Sequence, residues 1–115
     1  MMTDSLQAGD AAAEAVAVAE RVRLVDIEAA IGGVYYTTAA RALSDEALSA
    51  EHLAPLGLLT ICVLVMRNGF TLIGKSAPAS PENFNADLGR RLAYEDAVRQ
   101  LWPLMGFALR NRLAT

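Results

Sequence analysis

The sequence is poor in the residues that carry most metal and nucleophile chemistry. It contains one cysteine, Cys62, and one histidine, His52, among 115 residues. A single cysteine cannot form an intrachain disulfide, and the apolar segment around Cys62 favours a small buried hydrophobe over a catalytic thiol. His52 has no Cys or His neighbours at ligand spacing, so no metal site is expected. No Ser-His-Asp, Cys-His or paired-carboxylate pattern stands at a recognisable spacing, and we expect no cofactor and no enzymatic activity.

Long apolar runs and an excess of basic residues are also missing. No apolar stretch approaches the ~18 residues that a bilayer span requires, and the first residues contain acids where a secretion signal needs a basic region. Thirteen Asp and Glu outnumber ten Lys and Arg, for a net charge of -3. This balance argues against a nucleic acid polymer as partner. Together with the unpaired cysteine, these absences predict a cytoplasmic protein without membrane contact.

Apolar residues, in contrast, are abundant. The chain is 54% hydrophobic with a mean hydropathy of +0.29. A chain of this length forms one domain, and its interior is too small to hide so much apolar surface. We therefore expect a homo-oligomer. Residues 1–10 are polar and without periodicity, which predicts a flexible tail, followed by a single domain over residues 11–115.

The N-terminal part of the domain is predicted to begin with two helices. Residues 10–23 combine alanine-rich helix propensity with apolar and charged residues. Asp26 is expected to cap a short helix over residues 27–31, which Gly32-Gly33 would end.

The next segment allows two interpretations. Residues 34–38 are β-branched or aromatic and favour a strand, although residues 39–43 would extend a helix equally well, so residues 34–43 stay open between the two. Ser44 and Ser49 both resemble helix starts, in a connecting segment that Pro55 and Gly57 would terminate.

A central hairpin over residues 59–75 is the most distinct local pattern. Residues 59–66 are nearly all apolar, as in a strand covered on both faces. Asn68-Gly69 is typical of a type I′ turn with two positive-φ positions, after which residues 70–73 return antiparallel. A lone hairpin is unstable, so helices must cover it and a third strand near Tyr35 would widen the sheet.

A long C-terminal helix completes the predicted fold. Ser80 suits its N-cap and Pro81 its first turn. Pro103 should kink or restart the helix near Trp102. Apolar residues at spacings of three and four predict the face that packs on the sheet: Phe84, Leu88, Leu92, Val98, Leu101, Trp102 and Met105. The fold class is therefore α+β, with an antiparallel sheet of about three strands packed by an N-terminal helical segment and this helix.

The junction between hairpin and helix is the candidate binding site. Residues 74–81 place small residues, two hydroxyls and Lys75 before a helix N-terminus, where free amides and the helix dipole favour an anion. A plain helix cap explains the same residues without a ligand. Arg90-Arg91 could reach the same side and Phe70 could stack on a base, whereas solvated arginines and a core phenylalanine are the commoner outcomes.

The C-terminal half also resembles a known family. The motifs TICVL, NGF, SPENF, the Gly89-Arg90-Arg91 segment, WPL and LRNRL occur in the order found in the small phage-protein family named from gene 49 of phage N4 and gene 66 of phage Sf6. This family is mostly without assigned function, and it is similar to the Thoeris anti-defence one proteins. Those proteins sequester cyclic ADP-ribose signals, and some hold cyclic oligonucleotides, in symmetric assemblies of dimers.

The resemblance implies a non-catalytic phage protein that binds a cyclic nucleotide messenger and blocks host defence from the host cytoplasm. Arginine side chains and backbone amides would meet the phosphates, and an aromatic ring would stack on adenine. The candidate ligand-binding residues are Phe70, Lys75, Ser76, Asn83, Arg90 and Arg91. The alternative is a phage protein-interaction or structural module without a small-molecule ligand. The helix-strand-helix order also occurs in double-stranded RNA binders, which the acidic balance disfavours.

Overall fold

The computed structural model describes residues 4–115 and has the α+β fold that the sequence predicts. Three strands form an antiparallel sheet in the order β1-β2-β3. The elements, in chain order, are α1 Asp4–Val16, α2 Leu24–Ala30, β1 Ile31–Thr38, α3 Ala39–Ala42, α4 Ala50–Leu56, β2 Thr60–Met66, β3 Thr71–Ser76, a 3-10 turn Pro81–Asn83 and α5 Ala86–Leu113. In residues 4–115, no helix is long and apolar enough to span a bilayer.

The N-terminal segment differs from the prediction of a tail over residues 1–10. Residues 1–3 lie outside the described residues, but α1 begins at Asp4 and ends at Val16, so the helix predicted over residues 10–23 starts earlier and is shorter. The physical reason is tertiary: Leu6 is buried in the core, and the Asp10 carboxylate accepts hydrogen bonds from the Leu24 N–H and the Arg21 side chain at 2.9 Å each. These contacts tie α1 to the start of α2.

Helix α2 leads directly into β1. The prediction that Asp26 caps α2 is wrong, because Arg23 holds the N-cap position. The Asp26 carboxylate lies three residues further on, where it accepts a hydrogen bond from the Arg23 N–H at 2.8 Å. The glycine pair does not end the helix but belongs to the strand, with a bulge between Ile31 and Gly33. Strand β1 confirms the strand interpretation of residues 34–38.

Two short helices connect β1 to the hairpin. The Thr38 hydroxyl caps α3 by accepting from the Arg41 N–H, so the helical pattern after residue 38 is real but short. Ser49 caps α4 as predicted, and Gly57 follows its end, whereas the predicted start at Ser44 falls in a turn.

The hairpin pairs β2 with β3 from Thr60↔Ser76 to Val65↔Thr71, as predicted. Two details differ. Only one face of β2 is buried, that of Cys62, Leu64 and Met66, and the alternate residues are half-buried. The turn is not type I′, because only Gly69 has a positive φ, of 90°, and its N–H donates to the Met66 carbonyl at 2.9 Å. A turn followed by one left-handed glycine is the usual three-residue hairpin loop.

Helix α5 lies across β2 and β3. It approaches closely at Gly74, where an added Cβ would stand 2.1 Å from the Ala93 carbonyl oxygen. Its buried face holds Val98 and Leu101 of the predicted set. Trp102, Met105 and Phe84 are half-buried, and Leu88 and Leu92 are exposed. The helix neither restarts nor ends at Pro103, which is exposed. Only one backbone hydrogen bond is lost there, on a side that water reaches.

Candidate ligand-binding site

The junction between β3 and α5 forms one wall of a cavity of about 230 Å³. The chain leaves β3 at Ser76, makes the 3-10 turn, and enters α5 at Asn85, whose side chain caps the helix by accepting from the Leu88 N–H at 3.0 Å. The predicted cap Ser80 precedes only the 3-10 turn and makes no side-chain cap bond. Lining residues come from both sides of the junction: Leu58, Thr60, Ser76, Ala77, Pro78, Ala79, Asn83, Phe84, Asn85, Leu88, Gly89 and Leu92.

A smaller cavity, of about 80 Å³, adjoins the first. Thr60 and Phe84 line both cavities, which therefore share a wall. The smaller one adds side chains from the end of β1, from α3 and from α5: Tyr36, Thr37, Thr38, Arg41, Ala86 and Arg90. We call the two adjoining cavities the junction groove.

The positive charge of the groove comes from two arginines on different elements. Arg90 pairs with Asp87 one helical turn before it, and both side chains are substantially exposed. For Arg41, no ion pair occurs with any of residues 4–115. Two guanidinium groups at one end of a groove are a suitable arrangement for a phosphate.

Tyr36 adds a neutral phenol to the same end. Burial raises the pKa of Tyr36, Cys62 raises it further, and Arg90 has the opposite effect. Burial also raises the pKa of the Cys62 thiol to about 11, although the neighbouring Tyr36 hydroxyl lowers it. At neutral pH both groups are protonated, so Tyr36 presents a neutral hydroxyl to the groove, which can donate and accept hydrogen bonds.

The structure brings together three of the six sequence-predicted site residues. Ser76 and Asn83 line the larger cavity, and Arg90 lines the smaller. Lys75 is exposed and lines neither cavity. Its N–H is bound to the Asp96 carboxylate at 2.9 Å. Arg91 is exposed on α5 and also lines neither.

Phe70 lies at the opposite end of β3. It is six positions before Ser76, which corresponds to roughly 20 Å at ~3.3 Å per residue. It lines an apolar hollow of about 410 Å³ between the hairpin turn and α5, together with Met66, Leu104 and Met105. The aromatic ring that belongs to the junction is Phe84.

Sequence reasoning missed Tyr36, Arg41, Thr60 and Phe84. Phe84 and Asn85 directly follow the 3-10 turn, three to four residues after the predicted helix start at Pro81, so the sequence near that start already contained them. Tyr36 and Arg41 reach the groove only because β1 pairs with β2, with Tyr36 opposite Cys62 and Thr38 opposite Thr60. No local pattern encodes that pairing.

The described residues offer no evident metal site. In residues 4–115, no group of three or more His, Cys, Asp or Glu side chains stands close enough to hold an ion. His52 is exposed on the surface, whereas Cys62 is buried in the core.

Comparison with known proteins gives the family. No curated protein and no solved structure is significantly similar to the chain. One family model, that of the phage protein (N4 Gp49/phage Sf6 gene 66) family, matches residues 22–113, from the segment before α2 to the end of α5. Because the match covers most of its 115 residues, the chain belongs to this family.

Proposed function

We propose that this phage-family protein binds a small cyclic nucleotide, of the cyclic ADP-ribose or cyclic oligonucleotide type, in the junction groove. It holds this messenger without turning it over and so blocks a host defence that the messenger activates. The observation that carries the proposal is that the two cavities meet at Thr60 and Phe84, because this sets an arginine-lined cavity beside one lined by an aromatic ring and side-chain amides.

The arginine end suits the phosphates. Arg41 and Arg90 enter the smaller cavity from α3 and α5, and the hydroxyls of Tyr36 and Thr38 stand beside them. Guanidinium groups donate two hydrogen bonds to a phosphate in fixed geometry. The Arg90–Asp87 pair is exposed, so a phosphate can compete for Arg90 with little loss of stability.

The other end suits a base and its ribose. Phe84 offers a ring face of the kind on which adenine stacks, and Ser76 and Asn83 offer donors and acceptors for hydroxyl or base edges. Leu58, Leu88 and Leu92 give this cavity an apolar wall. Sequestration requires tight binding and no chemical step.

Calorimetry tests the proposal. Glycocyclic ADP-riboses and cyclic di- and trinucleotides are titrated into the wild type, and one of them is expected to bind. Arg90→Ala should weaken binding by roughly 10- to 100-fold, as expected for a charge-assisted hydrogen bond of about 1.5–3 kcal/mol. Arg91→Ala is the matched control, because Arg91 is the next residue of α5 and lines neither cavity; it should bind as the wild type does.

Two results would overturn this function. The first is an absence of heat for every member of the panel at saturating concentration. The second is binding that weakens with Arg91→Ala and not with Arg90→Ala, which would place the ligand outside the groove.

A second candidate function is the docking of a phage or host protein, and one observation favours it. The apolar hollow at the hairpin turn is bordered by Phe70 and Leu104, and Phe107, nearby on α5, is 70% exposed. Exposed apolar surfaces of this kind often bind proteins. This function would be favoured over the first if the wild type captured one partner at defined stoichiometry, if Phe107→Asp abolished that capture, and if heating the protein released no small molecule.

A further inference from the structure

The two edges of the sheet differ in their protection. On β3, side chains of α5 occupy the outward backbone groups. The Gln100 side-chain amide donates to the Ile73 carbonyl at 2.7 Å, and the Lys75 N–H donates to the Asp96 carboxylate at 2.9 Å. Another strand cannot add to this edge without breaking these bonds. The edge of β3 is therefore closed.

The opposite edge, that of β1, is open. The Ala39 N–H donates to the Leu59 carbonyl at 2.9 Å, which fixes the alternation of hydrogen-bonded pairs between β1 and β2. Tyr35 and Thr37 then direct their backbone groups to β2, and Val34 and Tyr36 direct theirs away from the sheet. Within residues 4–115, no side chain or loop forms a hydrogen bond with the outward groups of Val34 or Tyr36.

The side chains of β1 also lack the usual protection of an edge. Exposed edge strands are commonly blunted by lysine, proline or another charge, and the sequence IGGVYYTT contains none of these. Val34, Tyr35 and Tyr36 are 38%, 62% and 40% exposed, which places apolar surface on both faces of the strand. An edge of this composition is suited to strand addition.

We propose that two copies of this chain pair through their β1 edges about a twofold axis and form one continuous six-stranded antiparallel sheet. The occupant is a second copy because the strand is self-complementary. An antiparallel twofold pairing sets each open N–H opposite an open C=O, and an uncharged strand brings no like charges together. The 54% hydrophobic composition agrees with an apolar surface that is covered in an assembly.

The open residues also determine the register. The bulge at Gly32 interrupts pairing before Val34. At the other end, the Thr38 carbonyl already accepts from the Thr37 hydroxyl at 3.3 Å, and the chain turns into α3 at Ala39. Two pairs remain: Val34 with Tyr36 of the second copy, and Tyr36 with Val34 of the second copy. Each pair exchanges two N–H···O bonds. The twofold axis therefore passes beside Tyr35, which faces its own counterpart.

Sedimentation velocity over a concentration series of about 1–100 µM tests the association, a range suited to a modest interface. The wild type is expected to be a dimer at the upper end. Val34→Pro removes an outward N–H without removing a bond to β2, and it should sediment as a monomer. Val34→Thr keeps the branched shape and the N–H and should remain a dimer. A monomeric wild type throughout the series, or a Val34→Pro protein that is folded by circular dichroism and dimeric, would overturn the proposal.

Disulfide trapping tests the register independently of any folding defect in Val34→Pro. Tyr35→Cys and Ile73→Cys place a thiol on the same face of the sheet but at opposite edges, at positions whose native side chains are similarly exposed, 62% and 60%. Cys62 is buried and serves as the background in both. Mild oxidation should crosslink Tyr35→Cys into a covalent dimer and leave Ile73→Cys monomeric, because only the former lies on the axis. Equal crosslinking of both variants, or of Ile73→Cys alone, would contradict the edge pairing.

Discussion

Replacement of Gly74 by alanine tests the packing of α5 on β3. The added Cβ would stand 2.1 Å from the Ala93 carbonyl oxygen, 2.5 Å from the Ala97 nitrogen and 2.8 Å from the Ala97 Cβ. Two of these atoms belong to the helix backbone and cannot rotate away, so the helix must move outward by more than 1 Å to restore ordinary contacts. That movement loosens the contacts of Val98 and Leu101 with the sheet.

We expect Gly74→Ala to lower the free energy of unfolding by about 3 kcal/mol, the upper part of the range for overpacked cores. Gly106→Ala is the matched control: it lies in the same helix, an added Cβ meets no atom within 4 Å, and alanine should stabilise the helix by about 0.5–1 kcal/mol. Urea unfolding should show midpoints that move in opposite directions. A Gly74→Ala protein within about 0.5 kcal/mol of the wild type would refute this helix-to-strand distance.

Three further predictions concern single groups. Cys62 should resist thiol reagents in the native protein and react only after unfolding, so rapid labelling of the native protein would contradict its burial. Because burial raises the pKa of this thiol from 9.0 to about 11, its contribution to stability is fully present below about pH 9 and is lost as the pH rises toward 11. The pKa of Asp10 is lowered mainly by the hydrogen bond from the Leu24 N–H and also by Arg21, so this carboxylate stabilises the fold above its ordinary pKa of 3.8 and ceases to do so as the pH falls. Asp10→Asn should therefore lower the Tm at neutral pH and reduce the loss of stability in acid. An acid unfolding profile that does not change in this variant would argue against the contact. Gly69→Ala should destabilise the protein in urea by about 1–2 kcal/mol because Gly69 has a φ of 90°, and an alanine variant as stable as the wild type would show that the turn adopts another conformation.

The hairpin and the long helix could be predicted because their signals are local. The nearly continuous apolar run over residues 59–66 favours a strand at β2, and the spacing of Val98, Leu101 and Met105 defines a helix face by itself. The prediction of a type I′ turn was wrong because Asn68-Gly69 is compatible with more than one hairpin loop. Only the backbone geometry shows that Gly69 alone has a positive φ.

The N-terminal segment and the groove depend on distant contacts and were therefore harder to predict. The alanines of α1 favour a helix without defining its ends, and its start depends on the burial of Leu6 and on the bonds from Asp10 to Arg21 and Leu24. In the groove, Ser76 and Asn83 are near in sequence to the helix start that suggested a site. Arg41 is not, and strand pairing brings it there.

The open edge and the junction groove meet at Tyr36. Its backbone points outward from β1, and its ring lines the smaller cavity beside Arg90. The two cavities, of about 230 and 80 Å³, are each smaller than the 300–1,000 Å³ typical of ligand sites, and either one alone is small for a cyclic nucleotide with two or three phosphates. In the proposed dimer, Val34 of the second copy stands opposite Tyr36 and therefore adds a strand beside the cavity at its arginine end. If both proposals hold, Val34→Pro should weaken the ligand as well as the dimer although Val34 lines neither cavity, whereas Arg90→Ala should weaken only the ligand. Full ligand affinity in a monomeric Val34→Pro protein would mean that one protomer forms a complete site.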